Sequence, residues 1–276
     1  MNANQDEKVV EGFGDEWSRF DQSGLSSDER REIFESYFAV FPWDTLPSDA
    51  VGFDLGCGSG RWACLVAPRV GTLHCIDASD QALEVARRNL QDQPNCRFHL
   101  ASVDAIPLPE GSADFGYSLG VLHHVPDTQA GLQMCVSRLK SGAPFLLYLY
   151  YAFDNRPGWF RGLWKISEAG RFVLSRAPHP LRYLVSQCLA LGVYLPLARM
   201  ALVLERLGMR VDSFPLSFYR TRSFYVMRTD ALDRFGTRLE QRFTRTQMQQ
   251  MMEQAGLKEI VFSERAPYWC AVGVKG

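Results

Sequence analysis

The stretch VGFDLGCGSG at residues 51–60 constrains the fold of this chain more than any other segment. An apolar run ends in an acid, Asp54, and then opens into glycines at every second position. Because glycine lacks a Cβ, its backbone takes positive φ angles and approaches a ligand closely. The stretch therefore predicts a buried strand that turns tightly into a helix, with a nucleotide-like ligand held against the turn.

The spacing of the glycines argues against a dinucleotide. The dinucleotide fingerprint has its third glycine five residues after the first, and this chain has Arg61 there. Two more strand-like runs follow, TLHCID at 72–77 and CRFHLASVD at 96–104, and they end in Asp77 and Asp104. One acid after a strand is more often a helix cap or a solvated side chain. Three such acids in register with a glycine loop favour a binding site.

The order and spacing of these segments resemble the motifs of class I S-adenosylmethionine-dependent methyltransferases, in particular the small-molecule enzymes of type 11. The resemblance rests on DLGCGSG at 54–60, ID at 76–77, VD at 103–104 and DFGYSLGVLHH at 114–124. It implies S-adenosylmethionine as cofactor, with the glycine loop around the methionine end, Asp77 on the ribose hydroxyls and Val103 with Asp104 at the adenine. The cofactor-binding residues that it implies are Asp54, Gly56, Cys57, Gly58, Gly60, Asp77, Ala78, Val103, Asp104 and Leu119.

The apolar patterns alternate between strand and helix along residues 51–151 and again after residue 244. Runs with little alternation, such as FLLYLY at 145–150, are typical of parallel strands covered on both faces. Together with the resemblance, they predict an α/β, Rossmann-like sheet of seven strands, mostly parallel, with the last strand antiparallel. The predicted strands cover 51–55, 72–77, 96–101, 113–119, 144–151, 260–262 and 268–274, with helices from 61 and over 79–91, 127–139 and 244–255.

The domain organisation follows from interruptions in this pattern. Residues 1–50 are predicted to be a helical segment that packs on the core through Phe13, Trp17 and Phe20, which share one helix face. The alternative is that this segment lies over the cofactor. Residues 51–155 and 225–276 form the predicted cofactor domain, and 156–224 form a helical insert on the acceptor side, after the fifth strand.

The insert differs from the rest of the chain in charge. Between Arg156 and Arg210 there are nine Lys/Arg and two Glu, a balance of +7 against a formal net charge of −1 for the whole chain. An uncharged run from Tyr183 to Ala198 contains Pro196 and is shorter than the ~20 residues that span a bilayer. Two interpretations stay open. The insert is a lid whose arginines reach into solvent, or it makes a peripheral membrane contact through 156–210.

Composition predicts the compartment and narrows the partners. The near-zero net charge argues against a nucleic-acid partner. So does the segment SLG at 118–120, because methyltransferases that act on nucleic-acid amino groups resemble one another in an Asn/Asp-Pro-Pro-Tyr/Phe element at this position. The seven cysteines form no C-x-x-C pair, which predicts reduced thiols and no metal site. The polar N-terminus lacks the pattern of a signal peptide. We therefore expect a cytoplasmic protein, peripheral to the membrane if the insert binds there.

The predicted reaction is methyl transfer to a small-molecule, carbohydrate or lipid-linked acceptor, at oxygen first and at nitrogen as the alternative. A hydroxyl acceptor needs a base, and His123 is the candidate because Leu122-His123 is similar to the pair found in plant-type O-methyltransferases. A purely structural role for His123 is the competing interpretation. A non-catalytic cofactor-binding module is a further alternative. The predicted acceptor pocket contains His124, Tyr150, Tyr151, Asn155, Arg156, Tyr225 and Arg228.

Overall fold

The computed structural model describes residues 4–276, which form two compact units. The first, here called the sheet unit, comprises the described chain up to Gln22 together with Arg30–Ala152 and Leu239–Gly276. The second, the helical unit, comprises Ser23–Glu29 and Phe153–Arg238. The helical unit extends beyond the predicted insert of 156–224 at both ends and also includes a short segment near the N-terminus.

The sheet unit carries the predicted Rossmann-like sheet. Its strand order is β3-β2-β1-β4-β5-β7-β6; β1 to β5 pair in parallel, whereas β7 pairs antiparallel with both β5 and β6. This confirms the predicted fold class. The strands are β1 (Val51–Leu55), β2 (Thr72–Asp77), β3 (Cys96–Leu100), β4 (Phe115–Leu119), β5 (Pro144–Tyr148), β6 (Leu257–Phe262) and β7 (Cys270–Lys275).

Glycines in the central strands make room for aromatic rings of the neighbouring strand. Gly52 of β1 pairs with Phe115 of β4, and Phe53 of β1 pairs with Gly116 of β4. A Cβ on Gly52 would lie 2.1 Å from the Phe115 ring, and a Cβ on Gly116 would lie 2.4 Å from the Phe53 ring. The two rings are therefore fully buried within the sheet, and they fix the register of the strands that lead into the glycine loop.

Helices flank the sheet and begin at side-chain caps that the sequence supplies. Ser79 accepts a hydrogen bond from Ala82 N at the start of α4 (Asp80–Asn89), and Asp127 accepts one from Ala130 N at the start of α5 (Thr128–Arg138). Thr244 forms a capping box with Gln247 at the start of α10 (Arg245–Gln254). The α-helices that lie before residue 153 or after residue 238 are α1 (Glu7–Arg19), α2 (Ser27–Tyr37), α3 (Ala63–Val66), α4 (Asp80–Asn89), α5 (Thr128–Arg138) and α10 (Arg245–Gln254).

The helical unit consists of α6 (Gly158–Leu174), α7 (His179–Leu189), α8 (Leu195–Arg206) and α9 (Phe224–Gly236), with the short start of α2. A π-helical turn, Ala190–Tyr194, joins α7 to α8. The two helices and this turn form one continuous helix, His179–Arg206, here called the long helix. The small core of the unit contains Ala190, Tyr194, Ala198, Met227 and Ala231.

The long helix has 28 residues and, within residues 4–276, is the one helix with the length and apolar composition to cross a bilayer. It is longer than the apolar run of the sequence because it continues through Arg182 on one side and Arg199 on the other. Length and composition alone are weak evidence for a crossing, since apolar core helices share them. Only 22% of its most apolar stretch is buried, however, so it is not a core helix.

Candidate active site

The glycine loop after β1 forms a tight cradle at the carboxyl edge of the sheet. Gly56, Gly58 and Gly60 have φ angles of 76°, 53° and 74°. The amides of Gly56 and Cys57 donate to Ile76 O at 2.7 and 3.1 Å, which fastens the loop to β2. A Cβ on Gly58 would lie 2.9 Å from the Trp17 ring. The positive φ angles and this close approach explain why larger residues are unsuitable in the loop.

Asp77, the last residue of β2, holds its carboxylate beside this loop. Oδ2 accepts from Gly58 N at 2.8 Å and Oδ1 accepts from Ser79 N at 2.9 Å. Burial raises the pKa of Asp77, while the amides of Ser79, Gly58 and Ala78 act in the opposite direction. Each carboxylate oxygen retains a second lone pair for a ligand. Two fixed acceptors next to a glycine loop suit the paired hydroxyls of a ribose.

The other residues predicted to bind cofactor lie near the ends of β1, β2, β3 and β4. Asp54 is buried, its Oδ2 has no hydrogen-bond partner among the described residues, and burial raises its pKa well above the usual range. Asp104 Oδ1 accepts from Ser102 Oγ at 2.5 Å, whereas the Val103 side chain packs into the core. Cys57 lies inside the loop, Ala78 follows β2 and Leu119 ends β4.

Helix α1 packs against the glycine loop and the start of α4. Trp17 contacts Gly58, as described above, and the Phe13 ring lies 5.0 Å from the ring of His124. A Cβ on Gly14 would meet Ser79 Oγ at 2.7 Å, so this helix also approaches the start of α4 closely. The aromatic stripe of α1 thus faces the loop and the histidine pair, and Trp17 and Phe13 are site residues that sequence reasoning did not assign.

His123 follows β4 and is fully buried, with the rings of Tyr150 and His124 at 3.9 and 4.0 Å. Neither of its ring nitrogens has a hydrogen-bond partner among residues 4–276. Burial, and then the nearby His124 and Arg242, lower the pKa of His123 well below its usual value. The imidazole is therefore neutral at neutral pH, the form in which it accepts a proton.

The segment 239–243 holds the histidine pair in place. His124 Nδ1 lies 2.6 Å from Leu239 O and donates to it, and Gln241 N donates to His123 O at 3.0 Å. Arg242 lies over the Tyr150 ring at 5.0 Å and donates to Glu240 at 2.8 Å. Neither Glu240 nor Arg242 was predicted to belong to the site, because their segment has no motif and its place beside β5 depends on long-range pairing.

The predicted acceptor residues separate into three groups. His124 and Tyr150 surround His123, whereas Tyr151 packs towards Tyr268 and Trp269 with ring distances of 5.6 and 6.4 Å. The helical unit contains the other four residues, and two of these bond within that unit: Arg156 to Asp212 O, and Arg228 to Gln187 and Tyr183. Tyr225 packs on Gly24, and Asn155 is exposed. Their role in acceptor binding stays a prediction.

Metal-binding chemistry has no evident location in the described part of the chain. Residues 4–276 contain no cluster of three or more His, Cys, Asp or Glu side chains that could hold an ion. Cys57 of the glycine loop, Cys75 of β2 and Cys96 of β3 are buried, and the interaction with Cys57 is the first cause that raises the pKa of Cys75 well above its usual range. These thiols are neutral and belong to the sheet core.

Comparison with known proteins agrees with this geometry. Residues 53–147 match the family model described as a methyltransferase domain. The chain is 34% identical over 117 residues to trans-aconitate 2-methyltransferase of Agrobacterium fabrum, covering 42% of this chain and 43% of that protein. It is 32% identical over 111 residues to ubiquinone biosynthesis O-methyltransferase of Nitrosomonas europaea, covering 40% and 46%. The chain thus spans less than half the length of these curated relatives.

A solved structure extends the comparison beyond the matched segment. A putative methyltransferase from Bacillus halodurans superposes with a TM-score of 0.52 over 84% of this chain and 72% of that chain, at 14% identity. At such low identity the likeness shows the fold alone. It agrees with the seven-stranded sheet and its antiparallel β7.

Proposed function

We propose that this chain, whose residues 53–147 match the methyltransferase-domain family model, is a class I S-adenosylmethionine-dependent methyltransferase that methylates an oxygen of a small-molecule, carbohydrate or lipid-linked acceptor. The observation that carries the choice of oxygen is His123, which is fully buried and lacks a partner for either ring nitrogen among the described residues. A buried polar group without a partner is costly. An acceptor hydroxyl bonded to that imidazole would relieve the cost.

The residues at the sheet edge fit the cofactor that the domain implies. The loop at Gly56, Gly58 and Gly60 takes positive φ angles that let its backbone approach a ligand closely, and Asp77 offers two oriented acceptors for ribose hydroxyls. When bound, S-adenosylmethionine supplies a methyl group on a sulfonium that is already a good leaving group. The chain therefore needs mainly to align its two ligands, and alignment of this kind contributes about 7–11 kcal/mol.

His123 would hold the proton that a hydroxyl acceptor loses. A neutral alcohol or phenol is a poor nucleophile until its proton leaves. The lowered pKa keeps the imidazole neutral and able to accept that proton. His124 is not equivalent, because its Nδ1 already donates to Leu239 O at 2.6 Å. Tyr150, in ring contact with both histidines, would form one wall of the acceptor site.

Labelled cofactor tests this proposal. The purified chain is incubated with metabolite extracts and methyl-labelled S-adenosylmethionine, and the labelled product is identified. With that product's precursor as substrate, His123→Ala should lower the rate by about 10²–10⁴ and leave cofactor affinity nearly intact. His99→Ala on β3 is the matched control and should keep its rate. A product whose labelled methyl group is attached to nitrogen, or an unchanged rate in His123→Ala, would contradict the assignment.

Nitrogen is the second candidate acceptor atom, and it would leave His123 a structural role. An amine needs no base when it is already neutral, so a fully buried histidine could serve only to position the loop after β4. A non-catalytic binding module is the third candidate, and it predicts cofactor binding without any labelled product. We also propose a cytoplasmic location without a nucleic-acid partner; the seven unpaired cysteines support a reducing compartment.

A further inference from the structure

Exposed apolar side chains are concentrated in one part of the molecule. Among the described residues, fifteen large hydrophobic side chains are exposed, and thirteen of them lie between Trp159 and Met209. The other two, Leu100 and Val261, lie far apart in the sheet order, on its two edge strands. Scattered exposed apolar residues are normal, whereas a concentration of them marks an interaction surface.

Four of the five exposed apolar side chains of α6, all except Phe172, occupy a single face. Trp159, Leu163, Ile166 and Val173 follow each other at spacings of three, four or seven residues, and Gly162 and Gly170 fill the gaps in the same face. Ile166 and Val173 are 73% and 72% exposed, so their side chains contact almost nothing within the chain. No charged residue occupies this face, here called the α6 stripe.

The long helix carries a second stripe of the same kind, which runs along its whole length. Its members are all exposed and uncharged: Leu181, Leu184, Cys188, Gly192, Pro196, Met200, Val203 and Leu207, the residue directly after the helix. The four-residue spacing from Cys188 to Met200 coincides with the π-helical turn, which adds one residue to the local repeat. The turn therefore keeps both halves of the stripe on one face.

The opposite faces of these helices are polar and are bonded within the helical unit. Arg171 of α6 donates to Thr237 O at 2.7 Å, and Arg182 of the long helix donates to Gly236 O at 2.8 Å. Both arginines are buried and cap the carbonyl end of α9, where positive charge is favourable. Arg199 donates to Arg220 O at 2.8 Å. The unit thus buries cations and exposes apolar side chains.

The charges beside the stripes are cationic. Arg161 and Lys165 flank the α6 stripe, while Arg206 and Arg210 lie at the end of the long helix, and none of the four has an acidic partner among residues 4–276. The two acids of this region are already paired. Glu168 bonds to Arg171 and Arg234, and Glu205 bonds to Arg220. The excess positive charge is therefore available to an anionic surface.

We propose that α6 and the long helix lie flat on an anionic lipid bilayer, with both stripes among the acyl chains and the flanking cations at the lipid phosphates. Helices with an uncharged apolar face and flanking Lys or Arg bury that face about 5–10 Å below the headgroups. Each basic residue near an anionic leaflet adds about 1 kcal/mol. This inference concerns the helical unit alone and holds whatever the acceptor of the sheet unit is.

A bilayer crossing by the long helix fits the structure less well. Arg182, Ser186 and Gln187 lie on its inner face and bond within the unit, so a crossing would need the whole unit to enter the hydrocarbon. A protein partner would not explain why the cations line both stripes without acidic neighbours. Lipid is the occupant that both the apolar faces and the charges favour.

Vesicle sedimentation of the full chain tests the proposal. The chain should bind vesicles of phosphatidylcholine with phosphatidylglycerol at about 0.1 M salt, and bind weakly at about 1 M, where the Debye length falls to about 3 Å. Binding to pure phosphatidylcholine should be at least tenfold weaker. Equal binding to both vesicle types, or none to the anionic vesicles at low salt, would overturn the proposal.

Exposed-site variants assign the binding to the stripes and their cations. The triple variant Ile166→Gln, Leu184→Gln, Val203→Gln should lose at least tenfold in affinity, while Leu100→Gln with Val261→Gln, the two exposed apolar side chains of the sheet unit, should bind normally. Arg161→Gln with Lys165→Gln should reduce the salt dependence, and Arg87→Gln with Arg88→Gln on α4 should not. Thermal unfolding of every variant confirms that it folds. Unchanged binding by the triple variant would refute the surface.

A native thiol reports the depth of binding. Cys188 belongs to the long-helix stripe and is exposed, whereas Cys64 is half-buried and the other five cysteines are buried. A polarity-sensitive fluorophore on Cys188 should shift to the blue on anionic vesicles and be quenched most by nitroxides near the headgroups. Quenching strongest at the bilayer centre, with resistance to alkaline extraction, would show a crossing and overturn the in-plane arrangement. Cys188→Ser should abolish the signal.

Discussion

The two units of this protein bury ionisable groups in opposite ways. In the sheet unit burial favours the neutral forms of ionisable groups: it raises the pKa of Asp54 and lowers that of His123, each well away from its usual value. The helical unit buries guanidinium groups, which are cationic: among the described residues, Arg171 and Arg182 are buried and donate to the carbonyl end of α9, and Arg222 is buried with its guanidinium 5.5 Å from the centre of the Phe218 ring. A buried group without a hydrogen-bond partner inside the chain can bind a ligand, whereas a buried group that is already paired stabilises the fold.

This difference indicates that the buried polar groups of the sheet unit serve to bind ligands, whereas those of the helical unit serve to hold its helices together. At the carboxyl edge of the sheet, buried polar atoms such as those of His123 are left without partners in residues 4–276, which is typical of a site built for a ligand. In the helical unit, arginine bonds to the carbonyl end of α9 supplement a small apolar core to which the exposed stripes do not contribute. The unit keeps its apolar side chains for an external surface.

The largest expected effect comes from filling the glycine cradle. Gly58→Val should weaken S-adenosylmethionine binding more than about 100-fold, because φ at this position is 53° and the new Cβ would lie 2.9 Å from Trp17. Left-handed geometry and overpacking together cost about 2–5 kcal/mol. Calorimetric titration measures the affinity. The vesicle binding assigned to the helical unit should stay intact, which would show that the two surfaces are independent.

Gly142→Val is the matched control for the cradle. Gly142 has a φ of 81°, and a Cβ there would meet nothing within 4 Å. This variant should lose stability through backbone strain without any loss of cofactor affinity. If both glycine variants weakened binding alike, strain alone would explain the result and the cradle would lose its role.

The second effect tests the buried cations of the helical unit. Arg171→Met should destabilise that unit by about 3 kcal/mol, because it leaves Thr237 O and one side of Glu168 without a donor. Arg171 and Arg234 hold the pKa of Glu168 below its usual value although burial acts the other way. Denaturant unfolding measures the loss. Arg176→Met at the exposed end of α6 should change stability by less than about 1 kcal/mol; an equal loss in both would contradict the capping role.

The fold could be predicted largely from local sequence. Glycines followed by acids at fixed spacing, and apolar runs such as β5, identified the strands to within a few residues. The π-helical turn and the length of the long helix could not be predicted, because its charged ends are stabilised by carbonyls of α9 and of 220–222, which are distant in sequence. Hydropathy recognised the apolar run at 183–198 without indicating which side of the helix faces outward.

The site residues that belong to a sequence motif could be predicted, whereas those outside any motif could not. The loop at 56–60 and Asp77 lie together because parallel strands bring their carboxyl ends to one edge. Trp17 and Arg242 reach the same edge from the two ends of the described chain, and only tertiary packing places them there. The roles of His123 and of the predicted acceptor residues stay predictions until a product is identified.

The third effect concerns Asp77, the carboxylate assigned to the ribose hydroxyls of the cofactor. Asp77→Ala should weaken S-adenosylmethionine binding by about 1.5–3 kcal/mol through lost charge-assisted hydrogen bonds. The amides of Gly58 and Ser79, which donate to this carboxylate at 2.8 and 2.9 Å, would also lose their acceptor. Asp80→Ala, three residues along at the exposed start of α4, should bind normally. An unchanged titration in Asp77→Ala would remove the ribose assignment.

The smallest effect is the pH dependence of the free energy of unfolding, which tests whether His123 is buried in its neutral form. The pKa of His123 is lowered in the folded chain, so between that value and about 6.5 the unfolded chain binds the extra proton. The free energy of unfolding should therefore decrease as pH falls below about 6.5, by at most about 1.4 kcal/mol per pH unit for this residue.

His123→Gln should make the decrease shallower. His74→Gln should change it less, because His74, whose pKa burial lowers too, is only half-buried and lies 2.8 Å from His99. Denaturant unfolding from about pH 7.5 to about pH 5.5 measures the slopes. Parallel curves for the chain and His123→Gln would show that His123 is not buried in neutral form, and the contrast between the two units would then rest on Asp54 alone.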